Sequence, residues 1–156
     1  MKLFKKILLG IFIALVIIQF IRPAHNASEQ VLPTDISKIY NIPGKVQQVL
    51  ITACYDCHSN NSMYPWYADI QPMAWFMAYH VKNGKKDLNF SEFGSYSARK
   101  QQHKFKTIAS EVKDDEMPVS SYKLMHKNAR LTKQEQALII EWANKTKDSL
   151  TAKNKL

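Results

Sequence analysis

The chain has only two cysteines, Cys54 and Cys57, in 156 residues. That number cannot build a disulfide-rich secreted scaffold. Glycine, at 4 residues, and proline, at 6, are also scarce, which excludes collagen-like and low-complexity classes. Only one long apolar run is present, so a multi-span membrane protein is excluded. Apolar residues make up 46%, yet the mean hydropathy is −0.33, so the apolar content is concentrated rather than spread. The length suits one domain.

Acidic residues are outnumbered, 13 against 22 basic ones, for a formal charge of +9. Lys2, Lys5, Lys6 and Arg22 carry +4 of this, leaving +5 for the rest. The remaining lysines are scattered, and aromatics do not interleave with them as an RNA-binding module requires. Nucleic acid is therefore not an expected partner. A basic surface suited to docking an acidic protein is the simpler reading.

The apolar run covers residues 7–21 and is broken only by Gln19. It is shorter than the roughly 20 residues a bilayer core asks for, but Lys5, Lys6 and Arg22 are placed to snorkel to the two interfaces. The three lysines ahead of it favour a cytoplasmic N-terminus. A cleavage site after Ala27 would put His25 where a small residue is needed, and no cysteine follows for lipid attachment. The expectation is that residues 1–25 are a membrane anchor or signal segment, with an uncleaved transmembrane helix favoured. Residues 26–43, with Pro33 and Pro43, read as a linker.

Residues 44–147 read as one helical domain, followed by a polar tail over 148–156. Val46, Val49, Leu50 and Ala53 recur at helical spacing and lead into the cysteines. Residues 59–72, with Pro65 and Pro72, read as a structured loop. A second helix is expected over 73–83, with Gly84 as its C-cap. Residues 88–93 form a loop carrying Phe90 and Phe93, residues 95–113 a polar third helix, and residues 114–122 another loop. Thr132 and Glu135 make a capping box for a last helix over 131–147, whose apolar stripe is Ala137, Leu138, Ile139 and Trp142. No stretch alternates long enough to predict a strand, so the fold class is all-α. Loops this long in so small a domain need something to pack against, and a cofactor would supply the missing core.

Cys54-Tyr55-Asp56-Cys57-His58 is C-x-x-C-H, the attachment signature of c-type haem. Positions three apart share a helix face, so both thiols can form thioethers to the two vinyl groups of one haem, and His58 can reach the iron. A thioredoxin-like dithiol would need a βαβ context. A zinc site would need a second ligand pair. A disulfide across three helical residues would be strained. Attachment of haem c on the outer face of a bacterial inner membrane agrees with export. The expected location is thus a single-pass inner-membrane protein with its haem domain in the periplasm.

An electron-carrying haem usually has a second axial ligand, often Met. The candidates are Met63, Met73, Met77, Met117, Met125, His80, His103 and His126. Met117 is best placed: Pro118 follows it with a fixed φ, and enough chain separates it from His58 to return on the other haem face. His80 is the alternative. Met73 and Met77 read as a helix face in the core, His103 and His126 as solvent-exposed, and Trp66 and Tyr67 as walls of the haem pocket or core.

Three stretches resemble a bacterial haem-binding domain family related to class I cytochromes c. They are Cys54-Tyr55-Asp56-Cys57-His58-Ser59-Asn60 with Tyr64-Pro65-Trp66-Tyr67 and Ile70-Gln71-Pro72; then His80-Val81, Gly84 and Leu88-Asn89-Phe90-Ser91; then Glu116-Met117-Pro118, Tyr122, His126, Ala129, Leu131-Thr132 and Trp142. The resemblance implies a cytochrome c-like helical domain wrapped around one covalent haem c, with His58 as proximal ligand and Met117 as distal. Lys85 departs from it, standing where similar sequences are expected to carry arginine. The functional expectation is a membrane-anchored carrier that passes single electrons to redox partner proteins and does no bond chemistry of its own. The alternatives are a haem-based redox or gas sensor, or a haem oxidoreductase with an open sixth site.

Overall fold

The computed structural model describes residues 2–153. Among these, regular structure is helical apart from one isolated antiparallel bridge between Ala27 and Asn61. The helices are α1 (Lys2–Ile18), α2 (Ile36–Ile39), α3 (Gly44–Ala53), α4 (Tyr55–His58), α5 (Met73–Asp87), α6 (Ala98–Lys113), α7 (Ser120–Met125) and α8 (Lys133–Lys153). Short 3-10 turns occupy Trp66–Asp69, Phe90–Ser95 and Lys127–Ala129. The all-helical expectation holds.

The core forms where α6 and α8 pack along each other. Phe105, Ile108, Ala109 and Val112 recur at helical spacing on α6 and are buried, which explains how a mostly polar helix docks by one stripe. Ile139, Trp142 and Ala143 face them from α8, Val46 and Leu50 from α3, and Phe90 and Phe93 from the 3-10 turn. Phe105 meets Trp142 edge-on at 5.5 Å, and the Trp142 indole N–H donates to the Asn41 carbonyl at 3.3 Å. The predicted capping box is present. The Glu135 N–H donates to Thr132 Oγ1 at 3.2 Å, and the Thr132 N–H donates to Glu135 Oε2 at 2.8 Å. The helix then continues past residue 147 to Lys153, with Leu150 against the core.

The N-terminal segment corrects two expectations. No helix among the described residues is long and apolar enough to cross a membrane. This overturns the transmembrane helix and, with it, the single-pass inner-membrane location. The physical reason lies in where α1 stops. Its 17 residues span about 25 Å at 1.5 Å per residue, against a hydrocarbon core of about 30 Å, and its first turns contain three lysines. Gln19, which would prolong it, is bound elsewhere: its Oε1 accepts the Gln71 N–H at 2.9 Å. Gln71 in turn is buried and donates its side-chain amide to the Ile21 carbonyl at 2.8 Å.

The segment read as a linker is likewise packed. Asp35 caps α2 by accepting the Ser37 N–H at 2.9 Å, and Ile36 is 0% exposed in the core. Asn26 donates to the Ser59 carbonyl at 2.8 Å and to Ser62 Oγ at 2.9 Å, and accepts from Lys85 Nζ at 2.6 Å.

Candidate functional site

Helix α3 does not run straight into the C-x-x-C-H stretch. Cys54 leaves helical geometry, at φ −126° and ψ −37°, and one-turn α4 starts anew behind it. The Cys54 carbonyl accepts the N–H groups of Cys57 and His58 at 3.2 and 3.0 Å. This break turns Cys54, Cys57 and His58 onto the wall of a single cavity of about 460 Å³. Leu50, Leu88, Phe90, Ile108, Val112 and Ile139 line it with apolar surface, and His103, Lys104, Thr107 and Glu111 lie along its polar side.

His58 is held from behind. Its Nδ1 lies 2.9 Å from the Gly84 carbonyl and 3.0 Å from that of Leu88. Carbonyls only accept, so Nδ1 carries the proton and Nε2 keeps its lone pair, as a metal-ligating imidazole requires. Burial, the largest influence, holds the His58 pKa below its ordinary value, although both carbonyls pull it upward. The ring is therefore neutral at pH 7.

Gly84 explains how α5 comes so close. The sequence reads it as a C-cap, but α5 continues to Asp87. A Cβ on Gly84 would sit 2.6 Å from the Cys57 carbonyl oxygen. Glycine is needed here for backbone approach, not for a turn.

Cys54 and Cys57 are free thiols. Burial, reinforced by the neighbouring Cys57, pushes Cys54 up to about 12. Burial, then Asp56, pushes Cys57 up to about 11. Reactive dithiols have depressed values, so this pair is not set up for thiol exchange. Among the described residues, no three His, Cys, Asp or Glu side chains gather as a zinc site would need.

Met117 lines the same cavity, next to buried Pro118. The N–H groups of Glu116 and Met117 both donate to the Glu111 carbonyl, at 3.0 and 3.2 Å, tying the loop to the end of α6. His80 also reaches this cavity from α5, packed against Phe76 at 4.3 Å between ring centres. Met73 and Met77 are not core residues. They line a smaller adjoining hollow of about 50 Å³ with Met63, Met125 and His126. Trp66 is 77% exposed and walls neither cavity.

His126, expected in solvent, is instead part of a network the sequence did not disclose. Its ring stacks on Tyr122 at 4.0 Å, its Nδ1 donates to the Tyr122 carbonyl at 3.3 Å, and its Nε2 accepts from the Tyr67 hydroxyl at 3.1 Å. The Tyr122 hydroxyl donates to Asp56 Oδ2 at 2.6 Å. Burial and this carboxylate both raise the Tyr122 pKa, keeping the phenol protonated. The one hint in the sequence is Asp56 itself, an acid at an otherwise free position between the cysteines.

The sequence matches the family described as Haem-binding domain over residues 13–145. The match starts inside α1 and so includes the packed segment before α3. Neither the curated proteins nor the solved structures include a match.

Proposed function

We propose, from the premise that the chain belongs to the haem-binding domain family, that it is a c-type cytochrome: it holds one haem covalently through Cys54 and Cys57, ligates the iron with His58 and Met117, and passes single electrons between redox partner proteins. Haem binding follows from the family. The covalent links, the ligand pair and electron transfer are the proposal.

The residues present fit the group. The cavity of about 460 Å³ lies within the roughly 300–1,000 Å³ of cofactor sites. The observation that carries the reading is convergence: two thiols, an oriented neutral imidazole and a thioether line one largely apolar space. Each thiol would add its sulfur and its hydrogen across one vinyl C=C. Gly84 and Leu88 fix the His58 tautomer and aim Nε2. The Met117 sulfur, a soft ligand, favours the reduced state and so a high potential. Phe90, Ile108 and Val112 exclude water. When bound, haem supplies a one-electron couple at its iron. His103, Lys104 and Thr107 offer a cation and donors at the cavity for the propionates, and the surplus of basic residues suits acidic partners.

A redox titration with carbon monoxide challenge tests this. The holoprotein is expected to follow a one-electron Nernst curve and, when reduced, to refuse carbon monoxide. Ready carbon monoxide binding by the native protein would favour an open-site sensor or oxidoreductase instead.

A further inference from the structure

Met117 is suspended between two anchors. On its N-terminal side the loop is tied to the Glu111 carbonyl at the end of α6. On the other side it enters α7 directly, and α7 buries no residue. With Tyr122 only half-buried and no α7 side chain in the core, α7 leans on polar contacts to stay docked. Tyr122 lies in its first turn, its N–H donating to the Val119 carbonyl at 3.0 Å. Its hydroxyl crosses 66 residues of sequence to Asp56, inside the C-x-x-C-H stretch. The other Asp56 oxygen is committed to the Met63 N–H at 2.8 Å, so the carboxylate is held in place before Tyr122 reaches it.

The geometry points to Tyr122 as a positioning residue: its bond to Asp56 fastens the Met117 loop to the haem-attachment turn and thereby sets how firmly the Met117 sulfur is held at the iron. This rests on Met117 being the distal ligand. The attachment turn and the distal loop are then one mechanical unit, latched by one charge-assisted hydrogen bond. Because Met117, Pro118, Val119 and Tyr122 all line the cavity with Cys57 and His58, release of the latch acts on the cavity wall itself.

Tyr122→Phe removes the hydroxyl and keeps the ring that stacks on His126. In the haem-loaded protein, well below its unfolding temperature, this variant is expected to shift the equilibrium between bound and released Met117 roughly ten- to hundredfold toward release, the worth of a hydrogen bond to a charged group. The readouts are a weakened red absorption band of the oxidised thioether–iron bond and a gain of carbon monoxide binding. Asp56→Ala removes this bond together with the one from the Met63 N–H, so it should release Met117 at least as far, and adding Tyr122→Phe to it should change nothing more, since the shared bond is already gone. If Tyr122→Phe loses thermal stability but keeps the native band and still refuses carbon monoxide, the residue is merely structural and the inference is overturned. Met117→Ala keeps the two failures apart. If it leaves the spectrum unchanged, the ligand assignment itself is wrong. If it abolishes the band while Tyr122→Phe does not, only the latch is refuted.

Discussion

Replacing Gly84 by alanine puts the close approach of α5 and α4 to a quantitative test. In an ordinary helix interior the change stabilises by about 0.5–1 kcal/mol, because glycine has more backbone entropy to lose. Here the new methyl would lie 2.6 Å from the Cys57 carbonyl oxygen, 3.1 Å from its carbonyl carbon and 3.2 Å from its Cβ. The first two are backbone atoms, so no rotamer change relieves the contact. The two helices must part by about 0.8 Å to restore the ordinary 3.4 Å contact. That movement also carries the Gly84 carbonyl away from His58 Nδ1, 2.9 Å distant. Overpacking of this kind costs about 1–3 kcal/mol, which exceeds the helical gain. At mid-range values the expected result is a net loss of about 1.3 kcal/mol, read as a fall in Tm of roughly 3–5 °C, by thermal and urea unfolding of the haem-loaded protein. Unchanged or increased stability would refute the reasoning and return Gly84 to the role of an unconstrained helical glycine.

Asn26→Ala strips partners from the Ser59 carbonyl, Ser62 and Lys85 at once; it should cost about 1–3 kcal/mol in urea unfolding, whereas a true tether would tolerate it within about 0.5 kcal/mol. Glu135 is held below its ordinary pKa by the Thr132 N–H and then the Thr132 hydroxyl. A depressed folded value means that its contribution is complete above the unfolded value of about 4.5 and fades as pH falls through the lower folded value. Glu135→Gln should therefore flatten the acid limb of the stability–pH curve, and an unaltered limb would count against the capping box. Phe105→Ala, at 0% exposure between α6 and α8, should cost about 3–5 kcal/mol, measured the same way.

Which parts could be read in advance depends on whether the signal was local. The capping box at Thr132 is local and appears as read; of the stripe read for α8, Ile139 and Trp142 are buried and Leu138 packs against the core, but Ala137 is exposed and Ala143 is buried instead. The C-x-x-C-H stretch and Met117 were recognisable as candidates, and the fold gathers them on one cavity with His80. Hydropathy, by contrast, identified an apolar run but could not locate the helix end. At that end Gln19 pairs with Gln71, 52 residues away in sequence. Glycine at 84 carries the same letter whether it terminates a helix or admits a carbonyl, and only the distance to Cys57 decides. Residues 26–43 lack periodicity because the side chains that meet the core, Ile36, Tyr40 and Ile42, are unevenly spaced, while Asp35 and Asn26 make polar contacts. His126 sits among lysines in sequence, and its partner Tyr67 comes from a distant turn, so nothing nearby marks it.

The electron-carrier function depends on the covalent union of one haem with Cys54 and Cys57. The direct measurement is the intact mass of the purified protein after acid–acetone extraction, produced in a host that matures c-type cytochromes, beside Cys54→Ala, Cys57→Ala and the double variant. The expected mass is that of the polypeptide plus one haem for the native protein, surviving extraction, and that of the bare polypeptide for the double variant. A native protein that emerges at the bare mass, or surrenders its haem to the solvent, would contradict it.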